Sequence, residues 1–309
     1  MTTRRTRLGG EATDFTAEHL DLVCLKAKGI GNSYLCKENI PRYPHPEFRV
    51  CDLKHETDPR GLKGIYRDSG FRGSRDEGLV WFNLAVGPKK IRAAEKRLLK
   101  KTFSMLAPNN FLWKFATSPA FSETSMYGSF RFTLPLQEVL DAYSQQFCPG
   151  DRPVMRVFRT SVFKQEVQYV VLVHRPKDIK RFSKYPLLED QREDAVCTYR
   201  GGHFIWRPEA MCGTHRYEMD VGSNWINAVP VKGRWEYYVW DEVSIALHLE
   251  PGEVLRLSED QLRKHLTYCD KFDAPFMDFR EDHFLEFDEA QLLVEELWPS
   301  AGRNKHTAS

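Results

Sequence analysis

Along this chain apolar residues recur at two spacings, and the switches between them mark out its elements. Residues 48–55 and 78–86 are short apolar runs rich in β-branched and aromatic residues, which predicts two strands, the first ending in His55-Glu56-Thr57. Between them Leu62 and Ile65 lie three apart, the spacing of one helix face. Pro59 suits the first turn of that helix, where a missing N–H costs nothing, and Gly70 can close it in a left-handed conformation. Pro88 opens the clearest helical pattern. Ile91, Ala94, Leu98 and Phe103 recur on one side, with Lys89, Lys90, Arg92, Lys96, Arg97, Lys100 and Lys101 on the other. A strand over 131–134 and a helix from Pro135 through Tyr143 follow. Residues 154–174 carry the strongest strand signal. Their second half, 167–173, is nearly continuous in apolar residues, as a buried central strand requires, and Gln168 is its polar exception. Further strands are predicted over 198–206, 217–221, 235–249 and 253–257. Ser258 with Gln261 has the chemistry of a helix start. Residues 281–297 read as an acidic amphipathic helix with Phe284, Phe287, Leu292, Leu293 and Leu297 on its apolar side.

The connections carry their own expectations. Residues 1–13 are basic and polar, and are expected to be a disordered tail, as are residues 300–309. Residues 15–28 suggest a short helix. The loop Gly29-Ile30-Gly31-Asn32-Ser33 lacks the strand-before, helix-after setting of a phosphate-binding loop. Residues 109–129 form a long irregular stretch rich in aromatics, of a length often tied to function. The charged stretch 175–194, broken by Pro176 and Pro186, reads as a linker. This gives an ordered core over 14–185, with 195–299 as a C-terminal α+β extension or second domain.

Composition narrows the class. The 309 residues are 41% hydrophobic and 28% charged, ordinary for a soluble globular protein. With 45 basic and 43 acidic residues the net charge is +2, so no global field points to DNA or a membrane. No apolar run approaches the length of a membrane span, and the basic N-terminus lacks the apolar core of a signal peptide. The seven cysteines are scattered without a Cys-x-x-Cys pair, which fits reduced thiols in the cytoplasm or nucleus. The basic face of the helix over 88–103 is an ordinary solvated face or a dock for phosphates, a nucleic acid or an acidic partner.

The order of the His55-Glu56-Thr57 strand, a single helix, Gly70-Phe71 and the Trp81-Phe82 strand resembles the nicotinamide-pocket half of the ADP-ribosyltransferase superfamily, of the diphtheria-toxin and poly(ADP-ribose)-polymerase type. It covers about a third of the chain. The resemblance implies an α+β fold with a split, mostly antiparallel sheet flanked by helices, which clamps NAD as a substrate. It places His55 on a ribose and the backbone between His55 and Thr57 on the nicotinamide amide. It puts Trp81, with Phe82 beside it, in the stacking position, where an indole face attracts a pyridinium through cation–π forces. Gln168-Tyr169-Val170-Val171 resembles the late strand that brings the family's glutamate to the nicotinamide ribose, so Gln168 stands in the catalytic position and Tyr169 beside the cofactor. A glutamine can bond a hydroxyl but cannot steady a cation by charge. Glu166 lies two residues earlier on the same strand face, and Glu236-Tyr237-Tyr238-Val239 offers a further strand start. Glu56 replaces the usual small middle residue and threatens to crowd the pocket.

Each residue has a plainer role as well: a structural histidine, aromatics facing a core, a satisfied buried amide. The expectation is therefore an ADP-ribosyltransferase-like protein that binds NAD or an ADP-ribose-like ligand and transfers a single ADP-ribose unit. The alternative is the same fold without catalysis, binding protein or RNA through the 88–103 helix and the 109–129 loop. His203, Cys212, His215 and His248 are too loosely spaced for a zinc signature, and no hydrolase or nucleotide-loop motif occurs.

Overall fold

The computed structural model describes residues 1–5, 10–35, 42–102, 106–209, 216–223, 225–231, 239–271 and 283–299. Phe103, Cys36, Cys212, His215, Glu236 and the polar tail 300–309 lie outside them. Among the described residues the strands are β1 (Thr2–Arg5), β2 (Glu11–Thr16), β3 (Phe48–Val50), β4 (Asp52–Thr57), β5 (Gly70–Arg72), β6 (Leu79–Leu84), β7 (Phe130–Pro135) and β8 (Val154–Phe163). They continue with β9 (Glu166–His174), β10 (Cys197–Arg200), β11 (His203–Trp206), β12 (Tyr217–Val221), β13 (Ile226–Pro230), β14 (Trp240–His248), β15 (Val254–Arg256) and β16 (Leu266–Tyr268). The helices are α1 (Leu22–Ala27), α2 (Pro59–Asp68), α3 (Pro88–Thr102), α4 (Leu136–Phe147), α5 (Glu259–His265) and α6 (Phe287–Leu297). The protein is mixed α+β.

A nine-stranded sheet in the order β1-β2-β8-β9-β14-β6-β4-β7-β16 organises the chain. All its pairings are antiparallel except β9 with β14. The large core gathers Leu53, Phe82, Phe132, Tyr169, Val171 and Ile245 of the sheet with Leu62 and Ile65 of α2, Ile91 of α3 and Val139 of α4. A smaller apolar patch on the sheet joins Leu79, Val170, Leu172 and Ala246 to Tyr185, with Trp81, Phe158 and Phe182 at its edge.

Four expectations need correction. Residues 2–5 and 11–16 are not a free tail: they form a hairpin on the sheet edge, anchored where the Asp14 carboxylate accepts from Ser161 Oγ at 2.5 Å. The helix expected over 15–28 is confined to Leu22–Ala27, since Phe15 belongs to β2. The stretch 175–194 is not a bare linker, because Val157 N donates to Pro186 O and Leu188 N to Met155 O, and Tyr185 covers the small apolar patch. In α6, Leu292 and Phe287 are exposed while Ala290 and Leu293 are buried.

The largest surprise is β14. It lies between β9 and β6, so residues 240–248 complete the middle of the sheet, not a separate domain. All nine of its residues are buried. Val243, Ile245 and Leu247 enter the large core. By strand alternation the opposite face carries Glu242, Ser244, Ala246 and His248, an unusually polar set for a strand covered on both sides. No helix among the described residues is long and apolar enough to cross a membrane.

Candidate functional site

β4 and β6 pair at only two positions, Leu53 with Leu84 and Lys54 with Asn83. Beyond them β4 follows β7 as far as Thr57, while β6 follows β14. The two strands therefore part directly before His55, and a cleft of about 290 Å³ opens there. His55, Thr57, Trp81, Phe82 and Gln168 all line it, and so do Lys54, Glu56, Asp58, Asn83 and Tyr127. Tyr169 and Glu166 are not among its walls. Tyr169 points into the large core, with its ring 5.6 Å from that of His19; strand alternation sends it to the face opposite Gln168.

His55 bridges the gap where the ladder stops. Its Nδ1 lies 2.7 Å from the Trp81 carbonyl oxygen. A carbonyl only accepts, so Nδ1 carries the proton and Nε2 keeps a lone pair. Burial lowers the imidazole pKa, outweighing the carbonyl bond and the nearby Glu56 charge, so the ring is neutral near pH 7. Phe71 and Phe82 hold it edge-on, at centroid distances of 4.8 and 5.6 Å. Trp81 is half-buried, with the Arg159 guanidinium 5.4 Å from its ring.

Glu56 lines the cleft, but its carboxylate is held among cations. Its side chain is 3% exposed and ion-paired with Lys54 at 2.9 Å and Arg131 at 2.6 Å. Its second oxygen accepts from Ser125 Oγ and Met126 N, at 3.1 and 3.2 Å. Burial alone would raise its pKa, but the Lys54 and Arg131 charges hold it down at about 2. Glu56 thus pins the 122–129 loop, which carries Tyr127 to the cleft. The loop passes so close that a Cβ on Gly128, where φ is +146°, would sit 2.4 Å from the Thr57 carbonyl oxygen.

Behind Gln168 lies a polar relay. Gln168 Nε2 donates to Ser244 Oγ at 2.8 Å and approaches Glu242 Oε1 at 3.3 Å, and Ser244 Oγ donates to Asn83 Oδ1. Glu242 is fully buried. Apart from its carboxyl neighbour Glu166, its Oε2 has no donor. Burial, then the Glu242 charge, pushes the Glu166 pKa well above the usual carboxylate range, while that of Glu242 is raised by burial against the pull of Lys54. The two carboxyls titrate as a pair, with that of Glu166 the more strongly raised.

Sequence reasoning gathered five of these wall residues but missed Lys54, Asp58, Asn83 and Tyr127, and it missed the buried Glu242 behind Gln168. Glu242 had a signal of its own: Asp241-Glu242 interrupts an apolar strand, where unpaired charge is costly. Searches of protein-family models, characterised proteins and solved structures find no match to this chain.

Proposed function

We propose that this chain is an ADP-ribosyltransferase-like protein whose cleft binds NAD or an ADP-ribose-like ligand and transfers a single ADP-ribose unit to a macromolecular acceptor. The observation that carries this reading is the divergence of β4 from β6 at His55, with the Glu242-bearing strand next to β6. His55 Nε2, the free acceptor of a neutral ring, takes a ribose hydroxyl. Trp81 stacks on the nicotinamide from the face not covered by Arg159, and Tyr127 closes the cleft. Gln168 and Asn83 bond the nicotinamide ribose. The late-strand glutamate of the resembled family corresponds to Glu242 on β14 rather than to Gln168 or Glu166 on β9.

In this chemistry the C1′–N bond of NAD breaks with its electron pair leaving on nicotinamide. The ribose carbon becomes cationic, and a fixed carboxylate lowers the energy of that state. The acceptor nucleophile then bonds C1′ and releases its proton. Lys89, Arg92, Lys96, Lys100 and Lys101 of α3 are exposed and suit a protein or RNA acceptor, whereas Lys90 is paired with Asp52 and Arg97 donates to Glu47 O.

The enclosure of Glu242 favours a second reading, in which the cleft binds ligand without catalysis. Transfer from labelled NAD tests both. Label transferred by the wild type and lost in Glu242→Gln supports the enzyme. Saturable binding with no transfer in either protein supports the binding module, and no binding at all refutes both.

A further inference from the structure

The polar face of β14 has a second end. His248 lies six residues beyond Glu242, which at about 3.3 Å per residue places it roughly 20 Å from the cleft. There the parallel ends of β9 and β14 bring together Asp178, His248 and Glu250, each offering one ligand atom, all within 4.8 Å of one another. His248 is 2% exposed, and its Nδ1 is buried without a hydrogen-bond partner. Asp178 Oδ2 is 3.7 Å away, too far for a hydrogen bond. A buried ring nitrogen aimed at carboxylates it does not bond leaves room for a shared electrophile.

Arg175 arranges the carboxylates. Its Nε donates to Asp178 Oδ2 at 2.9 Å, Nη1 to Glu253 at 3.1 Å and Nη2 to Glu250 Oε1. Asp178 Oδ2, which also faces His248 Nδ1, and Glu250 Oε1 are thus both held by the guanidinium. This is the way outer groups orient the ligands of a metal. Three carboxylates, Asp178, Glu250 and Glu253, face two cations, Arg175 and Arg181, which leaves one net negative charge around a neutral imidazole. The Phe182 ring, 4.9 Å from that of His248, closes the apolar side, and Glu250, 40% exposed, opens the other to solvent.

We propose that Asp178, His248 Nδ1 and Glu250 form a binding site for a divalent transition-metal ion of the zinc type. One nitrogen and two carboxylate oxygens are a donor set suited to zinc or cobalt, with a fourth position left for water. The ion would tie the turn after β9 to the end of β14, independently of the ligand in the cleft.

The test uses the full chain stripped with a chelator and titrated with Co²⁺ alone. The expected result is saturation at one equivalent, with visible d–d absorption that Zn²⁺ displaces. Glu250→Ala, at a partly exposed position, should fold and bind at least about tenfold more weakly; His248→Gln should lose the bands. Loss of the bands in Glu250→Ala with an unchanged circular-dichroism spectrum supports the site even if His248→Gln fails to fold. No saturable binding by the wild type, or binding unaltered in Glu250→Ala, overturns the proposal.

Discussion

Two glutamates one position apart in role show how environment divides identical side chains. Glu56 is buried but surrounded by Lys54, Arg131 and two further donors, and it remains ionised. Its pKa of about 2 lies below the ordinary value of 4.5, so the stability it contributes is present above that ordinary value and is lost as pH falls through about 2. Glu56→Ala leaves two buried cations unpaired and should cost about 3–5 kcal/mol, read from denaturant unfolding at pH 7. Glu166 is the opposite case. Its folded pKa is raised, so the stability linked to its proton is complete below the ordinary carboxyl pKa and is lost as pH rises. Glu166→Gln should therefore unfold at a higher temperature than the wild type at pH 8 and show no such gain at pH 4. Equal midpoints at pH 8 would show that Glu166 is ionised at no cost. The proposed transfer needs the Glu242 carboxylate ionised, so it should rise with pH through an apparent pKa above the ordinary 4.5.

At the scale of elements, the site depends on two strands that part and a loop that closes over the gap. Gly128 holds that loop against β4. Gly128→Ala forces a Cβ into the Thr57 carbonyl at a backbone angle that favours glycine, and should cost at least about 1 kcal/mol. It should also weaken the cleft ligand, because Tyr127 shifts with the loop; unchanged binding in a folded Gly128→Ala would show that the loop takes no part. The strands β4 and β6 and the helix between them were legible in the sequence, because Pro59, Leu62, Ile65 and Gly70 are local signals that agree with one another. The partner of β6 was not legible. Residues 240–248 read as a strand, but pairing them with β6 and β9 joins positions some 75 to 165 residues apart, which no local pattern encodes. For the same reason the sequence singles out Gln168, on the more obviously apolar strand, and gives no hint that Glu242 lies beside it. The N-terminal hairpin was missed because its alternation is short and its polar residues, Asp14 and Arg4, satisfy each other only in the fold.

At the scale of the molecule, one strand joins two centres of chemistry. The buried polar face of β14 carries Glu242, behind the cleft residue Gln168, and His248 of the Asp178–His248–Glu250 cluster at its far end. A core strand with charges at both ends costs stability unless each end is compensated, and the Gln168 amide beside Glu242 and the Arg175 guanidinium at Glu250 contribute to that compensation. The most direct test of the account is thermal unfolding of the full chain with and without millimolar NAD, in the wild type and in Trp81→Ala, with circular dichroism confirming that both fold. The account predicts a higher midpoint with NAD for the wild type, equivalent to about 2.7 kcal/mol when NAD is at a hundred times its dissociation constant, and little or no shift for Trp81→Ala. An unshifted midpoint in the wild type, or an equal shift in both proteins, would contradict it.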